Sequence, residues 1–307
     1  MEFLDLHYFV SIAETGSFTK SALQNNLAQS ALSRRVRDLE AELGTALFYR
    51  NGRGVVLTDA GEVFLTRARG ILAEREALRQ DMRASAGDLD GTVKLAVPPS
   101  VGLVLLAPLL RQIRADLPRV RMRVMEGFSG HVAEWLASGK VDLAVLYKLK
   151  SSALLDAEHL LFEDMFLISA ADAPPFGQGA GVTMAELAAE ELVLPGPPHG
   201  LRMLVEDAAA KAGVTLNVAI ELETLPTIHD LVGTGGIRTI LPLTAVQREL
   251  REGRLTAQRI TAPAISRELI LAHAPHRAAA PVTKAVVRLI RAQISDLVRS
   301  GVWAGRL

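Results

Sequence analysis

Residues 17–58 read SFTKSALQNNLAQSALSRRVRDLEAELGTALFYRNGRGVVLT. Their punctuation predicts a helix, a tight turn, a second helix and a basic hairpin. Ser17 follows Gly16 and precedes an aromatic, which suits an N-cap, and residues 19–23 form a short helix. Asn25 and Asn26 end it, because Asn tolerates the left-handed turn conformation. The next helix runs from Gln29 to Leu43, and Gly44 stops it. Leu32, Val36, Leu39 and Leu43 form its core stripe, while Gln29, Ser30, Ser33, Arg34 and Arg37 take the opposite face. Arg50, Asn51, Gly52, Arg53 and Gly54 then turn between two apolar runs, 46–48 and 55–57, giving a β-hairpin with arginines at its tip.

This arrangement suits duplex DNA. A helix fits the major groove; Gln pairs with adenine edges, Arg with guanine edges, and hydroxyls with phosphate oxygens. Gln29, Ser30 and Arg34 are the expected base readers, with Arg37 on the same face. Thr19, Ser33, Arg50 and Arg53 are expected on phosphates or in a minor groove. The local pattern alone fits an ordinary solvated helix pair equally well. Charge does not separate the two, since Lys20, Arg34, Arg35, Arg37, Arg50 and Arg53 are balanced by Glu2, Asp5, Glu14, Asp38, Glu40 and Glu42.

What separates them is a resemblance. Phe9, Gly16-Ser17-Phe18, Ala22, Gln29, Ala31-Leu32-Ser33, Leu39-Glu40, Leu43-Gly44, Leu47-Phe48, Arg50, Leu57-Thr58 and Ala60-Gly61 stand in the order seen in LysR-type transcriptional regulators. The stretch resembles the N-terminal domain of that family. One departure is local: near Asn25 the family usually carries a leucine, whereas here Leu23 and Leu27 flank two asparagines.

A chain of 307 residues, 49% hydrophobic and with a formal net charge of zero, is long enough for two or more cored domains and too apolar for disorder. It has no cysteine, which excludes disulfides, thiolate metal sites and a cysteine nucleophile and suits a reducing compartment. MEFLDLHYF is not a signal peptide, and the apolar runs are of strand length, so the expected location is the cytoplasm with no membrane partner.

The first helix covers 5–15, with Leu6, Phe9, Val10 and Ala13 on one face. A long helix starts at Thr58 and runs to about Ser85. In it Phe64, Ile71 and Leu78 recur at heptad spacing, a two-stranded seam. The other reading is a helix packed on its own domain; self-association is favoured because so long a helix has little else to bury against. Two recognition helices would then read two half-sites. Gly87–Gly91 marks the boundary. Beyond it strands and helices alternate, which predicts an α/β sheet. Strands are expected at 93–97, 120–125, 141–147, 160–162, 166–170, 192–194, 216–222, 237–241 and 268–273. Helices are expected at 100–115, 129–138, 184–189, 201–212, 227–234, 243–252 and 282–298. Similar units recur after residue 163, so two lobes are expected.

The expected fold is therefore a multidomain α/β protein. It has a winged helix-turn-helix at 1–58, a linker and dimerisation helix at 59–90, and a regulatory domain at 91–307. Lobe I takes 91–162 and 267–307, and lobe II takes 163–266. The regulatory region also resembles the family, whose effector-binding domain is two-lobed like periplasmic binding proteins. Residues 96–100, 106–108, Pro118, Gly139–Ala144 and Leu241-Pro242 carry that likeness, and FSGHVAEWLASGKVDLAVLY is similar to the nitrogen-assimilation branch. The resemblance implies a homodimer assembling to a homotetramer, with RNA polymerase as a further candidate partner.

Ligands of α/β sheets bind beyond the carboxyl ends of strands. Ser100, Val101 and Gly102 open a helix there, and unpaired amides with a hydroxyl suit a carboxylate. Phe128, Ser129, His199, Arg202 and Thr224 follow other strand ends. Each alone fits ordinary capping chemistry; their convergence marks a cleft. In VGTGGIRTILP the family's second glycine gives way to Ile237, and Arg238 follows, so Arg238 is expected to bring a cation to the cleft and favour an anionic effector. The reading is thus a ligand-responsive transcription factor. A regulator of this fold that needs no effector is one alternative. An enzyme lacks support, since the chain has no His-Glu-x-x-His, no nucleotide loop and no Gly-x-Ser-x-Gly elbow, and nothing points to a metal or cofactor. A solute-binding protein fits the C-terminal region alone.

Overall fold

The structure is a computed structural model that describes residues 1–51, 54–84, 89–148, 157–174, 176, 181–274 and 280–307, with backbone alone at 50, 51, 76, 77 and 80–84. Helix α1 (Phe3–Thr15) closes on Gly16, whose φ of 61° is the left-handed conformation glycine adopts without a Cβ clash. The Ser17 hydroxyl then accepts the Lys20 amide at 3.3 Å and opens α2 (Phe18–Gln24). Asn26 makes the turn at φ 54°. Helix α3 (Gln29–Leu43) ends at Gly44, and strands β1 (Phe48–Asn51) and β2 (Gly54–Leu57) pair antiparallel. Phe9, Ile12, Leu32, Val36, Leu39 and Leu47 fill the core. Leu43, expected in that stripe, is the last residue of α3 and is 39% exposed. Gly52 and Arg53 lie outside the described residues, as does Gly87 at the expected boundary.

The Asn25 departure has a physical account. Its side-chain amide donates to the Ser11 hydroxyl at 3.0 Å and the Ser21 carbonyl at 2.8 Å, and its oxygen accepts from His7 at 3.0 Å. A polar clasp between α1 and α2 stands where the family uses a leucine. Asn25→Leu strips Ser11 and Ser21 of this partner, so it is expected to destabilise the full chain by about 1–2 kcal/mol, read by urea unfolding; a neutral or stabilising change would show that the clasp contributes nothing.

Helix α4 (Asp59–Ala84) is seated by the residues Thr58 to Gly61. Thr58 donates its hydroxyl to the Ala46 carbonyl at 2.7 Å and accepts the Gly61 amide at 2.9 Å. A Cβ on Gly61 would lie 2.1 Å from the Leu47 carbonyl oxygen, so only glycine permits this approach. The expected seam is corrected at one end. Phe64 packs edge-on to Phe9 at 4.8 Å, and Leu65, Ala68 and Leu72 join the same core. The first turns of α4 do have something to bury against, namely α1. Ile71 and Leu78 remain 42% and 60% exposed, as does Val63 at 66%.

Lobe I follows with β3 (Gly91–Val97), α5 (Pro99–Asp116), β4 (Val120–Glu126), α6 (Ser129–Ala137) and β5 (Leu143–Tyr147). The 160–162 and 166–170 segments are one strand, β6 (Ala157–Ala170), rather than the expected two. Lobe II holds β7 (Val182–Thr183), α7 (Met184–Leu187), β8 (Glu191–Leu194), α8 (Gly200–Lys211), β9 (Asn217–Glu221), α9 (Leu225–Gly233), β10 (Thr239–Pro242), α10 (Leu243–Arg251) and β11 (Leu255–Ala262). Strands β7 and β11 are additions to the sequence reading. Strand β12 (Ser266–His273) and α11 (Pro281–Arg299) return to lobe I.

The sheet order is β4-β3-β5-β12-β6-β11-β7, with β10 also on β6. The first half of β6 pairs with β12, placing Glu163 opposite Arg267. Its second half pairs with β11 and β10. The chain therefore crosses between lobes in the middle of a continuous strand, just after Glu163, and comes back just before Arg267. Each lobe has its own buried cluster, Leu95, Leu105, Val145 and Ile290 in lobe I, and Ile168, Leu192, Val205 and Ile240 in lobe II.

Candidate functional site: a recognition face and an interlobe cleft

Gln29, Ser30, Arg34 and Arg37 are exposed along α3, and Thr19 is exposed in the first turn of α2. Ala28 at the N-cap of α3 offers no side-chain acceptor to the first amides of the helix, and its carbonyl takes the Ala31 amide at 3.0 Å. Ser33, expected on this face, is 9% exposed and points into the domain. A hydroxyl at position 33 falls on the boundary between the Leu32 and Arg34 faces, which spacing alone does not resolve. Arg50 stands opposite Val55 in the hairpin; Arg53 is outside the described residues.

Between the lobes lies a cavity of about 420 Å³. Lobe I supplies Pro98, Pro99, Ser100, Phe128, Ser129, Tyr147 and Phe162, and lobe II supplies Pro195, His199, Leu201, Leu204, Leu225, Ile228 and Pro242. The walls are mostly apolar, and one linked polar cluster comes from lobe I and its return strand. In it Ser100 Oγ lies 3.2 Å from the Tyr147 hydroxyl, and Ser129 Oγ accepts the Tyr147 amide at 3.2 Å. The floor is Arg267. Its guanidinium sits 3.3 Å from the centroid of the Tyr147 ring, a cation–π stack. Nε and Nη2 donate to Glu163 Oε2 at 3.1 and 2.9 Å, and Nη2 reaches Ser100 Oγ at 3.4 Å. The Nη1 edge is not engaged by Glu163. Burial drives the Tyr147 phenol far above its ordinary range, so it stays a donor to Glu163 at 2.9 Å.

Phe128 and His199 meet across the cleft, edge to face at 4.6 Å. His199 Nδ1 accepts the Leu201 amide at 3.1 Å and so caps α8. Desolvation, helped by Arg267, pushes its pKa down to about 4, which keeps the imidazole neutral near pH 7. At the mouth Lys148 pairs with Glu268 at 2.8 Å, and that hydrogen bond holds the Glu268 carboxyl below the usual range.

Of the expected effector contacts, Ser100, Phe128, Ser129 and His199 line this cavity. Others are corrected. Val101 is fully buried in the lobe I core, and the Val101 and Gly102 amides already donate to the Pro98 carbonyl, so they are not the unpaired amides expected. Arg202 turns to Glu206 at 2.6 Å and Glu221 at 3.0 Å. Thr224 is an exposed N-cap whose neighbours Glu223 and Leu225 line the cavity instead. Arg238 pairs with Glu190, donates to Ser169 at 3.1 Å and covers the Phe176 ring at 4.8 Å, which holds it within lobe II and off the cavity lining. Arg267, Tyr147 and Glu163 escape the sequence reading. The available signal is Glu163-Asp164 interrupting the apolar run LLFEDMFLIS.

The comparisons with known proteins decide the family. The model for "Bacterial regulatory helix-turn-helix protein, lysR family" matches residues 3–62, and that for "LysR substrate binding domain" matches residues 86–295. The chain belongs to the LysR family. It is 32% identical over 300 residues to the nitrogen assimilation regulatory protein Nac of Escherichia coli, covering 97% of both chains. It is 30% identical over 249 residues to the transcriptional dual regulator OxyR of Escherichia coli, covering 81% of each. A full-length OxyR variant from Pseudomonas aeruginosa superposes with a TM-score of 0.77 at 25% identity, over 96% of this chain and 94% of that one. CbnR, solved with its target DNA, has the same fold at 24% identity and a TM-score of 0.56, over 96% of this chain and 100% of that one. This LysR-family chain is thus a DNA-binding transcriptional regulator with an effector-binding domain, and not an enzyme. No helix among the described residues is long and apolar enough to cross a membrane.

Proposed function

We propose that this regulator acts in the cytoplasm. It binds an interrupted promoter dyad as a homodimer paired into a homotetramer, and contacts RNA polymerase there. Its cleft takes a small, singly charged anion with an apolar body. The observation that carries the effector reading is the Arg267 guanidinium, within reach of Ser100 and sharing a mostly apolar cleft with Ser129. The domain organisation supporting this reading is a reader at 1–58, a linker at 59–90 and a two-lobed receiver at 91–307. The exposed Ile71 and Leu78 support the pairing of linker helices. An effector shifts the regulator only if it binds the two lobe arrangements with different affinity.

The test is footprinting on the region upstream of the protein's own gene, with and without a panel of aliphatic and aromatic monocarboxylates. The expected result is an interrupted dyad whose protected span changes with at least one monocarboxylate. A span that stays fixed under a carboxylate shown by calorimetry to bind would sink the effector role.

A further inference from the structure

Glu163 is fully buried and sits where β6 passes from lobe I to lobe II. Its carboxylate collects donors from four separate places. Oε2 accepts from Tyr147 at the end of β5 and from two nitrogens of Arg267 on β12. Oε1 accepts the indole N–H of Trp303, beyond α11, at 3.1 Å, and the hydroxyl of Thr244. Tyr147, Arg267 and Trp303 all belong to lobe I or its return strand. Thr244 is the second residue of α10, and among the described residues it is the lone lobe II side chain on this carboxylate.

We propose that Thr244 is a positioning residue, which ties lobe II through Glu163 to the guanidinium at the cleft floor and so sets how the two lobes sit. It deepens the effector reading above, since a ligand that pulls on Arg267 also pulls on the carboxylate that Thr244 holds. Burial is what gives one hydroxyl this leverage. A hydrogen bond to a carboxylate is strong where water cannot replace it, and Thr244 is 2% exposed. The same helix has a second hold one turn on, where Gln247 donates to the Val302 carbonyl. Across the cleft itself the lobes meet at Phe128 and His199. Neither contact is hydrogen-bonded to Glu163 or Arg267, so among these holds Thr244 is the one that ties the position of α10 to that ion pair.

The absence of cysteine makes the test clean. Cysteines are placed at exposed Asp172 in lobe II and Lys284 in lobe I, spin-labelled, and the distance distribution is measured by pulsed electron resonance in full-length protein diluted with unlabelled chain. Thr244→Val replaces the hydroxyl with a methyl of the same shape and leaves Glu163 its other donors. It is expected to move the mean distance by more than about 2 Å or split it into two populations. Thr244→Ala should do the same, whereas Thr244→Ser should restore the parent distribution. Unchanged distributions in both Val and Ala variants overturn the proposal. An equal shift in the Ser variant overturns it too, by placing the effect on shape rather than on the hydroxyl. No effector or DNA is in the sample, so a failure of the effector reading leaves these distances untouched.

Discussion

Arg267→Met is expected to lower stability by about 3–5 kcal/mol, the usual loss when one partner of a buried ion pair is removed. The Arg267 side chain is 11% exposed and Glu163 is fully buried, so water cannot rescue the orphaned carboxylate. The remaining Tyr147, Thr244 and Trp303 donors are neutral and leave the charge itself uncompensated. Guanidine unfolding of the full chain reads the effect directly. The contrast is Arg248→Met, which breaks an exposed pair with Glu252 one helical turn away and should leave the midpoint in place. Adding Glu163→Leu to Arg267→Met should recover much of the loss, because replacing both ions removes the desolvated charge as well as its partner. A single variant as stable as the parent would mean that the pair is not buried in solution.

Gln29→Ala is expected to cost about 1–3 kcal/mol in discrimination between the operator and a scrambled duplex. Gln29 is the first residue of α3, fully outside the core, and alanine is the better helix former, so folding should not suffer. Competition anisotropy at one fixed salt concentration separates the two effects. Lost preference with unchanged nonspecific affinity marks a base reader. Equal weakening on both duplexes would instead move Gln29 to the backbone. Arg50→Ala is the complement, expected to weaken both duplexes alike and to reduce the salt slope by about one.

How legible the chain is depends on how local each feature is. Ser17, Gly44 and the Leu32, Val36 and Leu39 stripe of α3 are read correctly because caps and periodicity need only neighbouring residues. The sequence splits β6 in two because Glu163-Asp164 breaks an apolar run, and charged residues inside a strand normally mean its end. Here they mark the lobe crossing, where Glu163 has Arg267 and Asp164 has Arg259 and Arg306. Arg238 misleads for the opposite reason. A cation near a glycine-rich turn looks free in sequence, but Glu190 and Ser169 lie against it in the fold. Phe64 keeps heptad spacing with Ile71 and Leu78, yet its ring packs on Phe9 of α1.

By itself, the sequence determined the family and most of the helices and strands, because motifs, caps, turns and periodic stripes are properties of short segments. Tertiary structure alone decided which polar groups meet in the cleft. Arg267 and Glu163 lie 104 residues apart, and Trp303 and Glu163 140 apart. Such partners are chosen by strand register and by the cost of burying a charge unpaired, neither of which leaves a trace in local spacing.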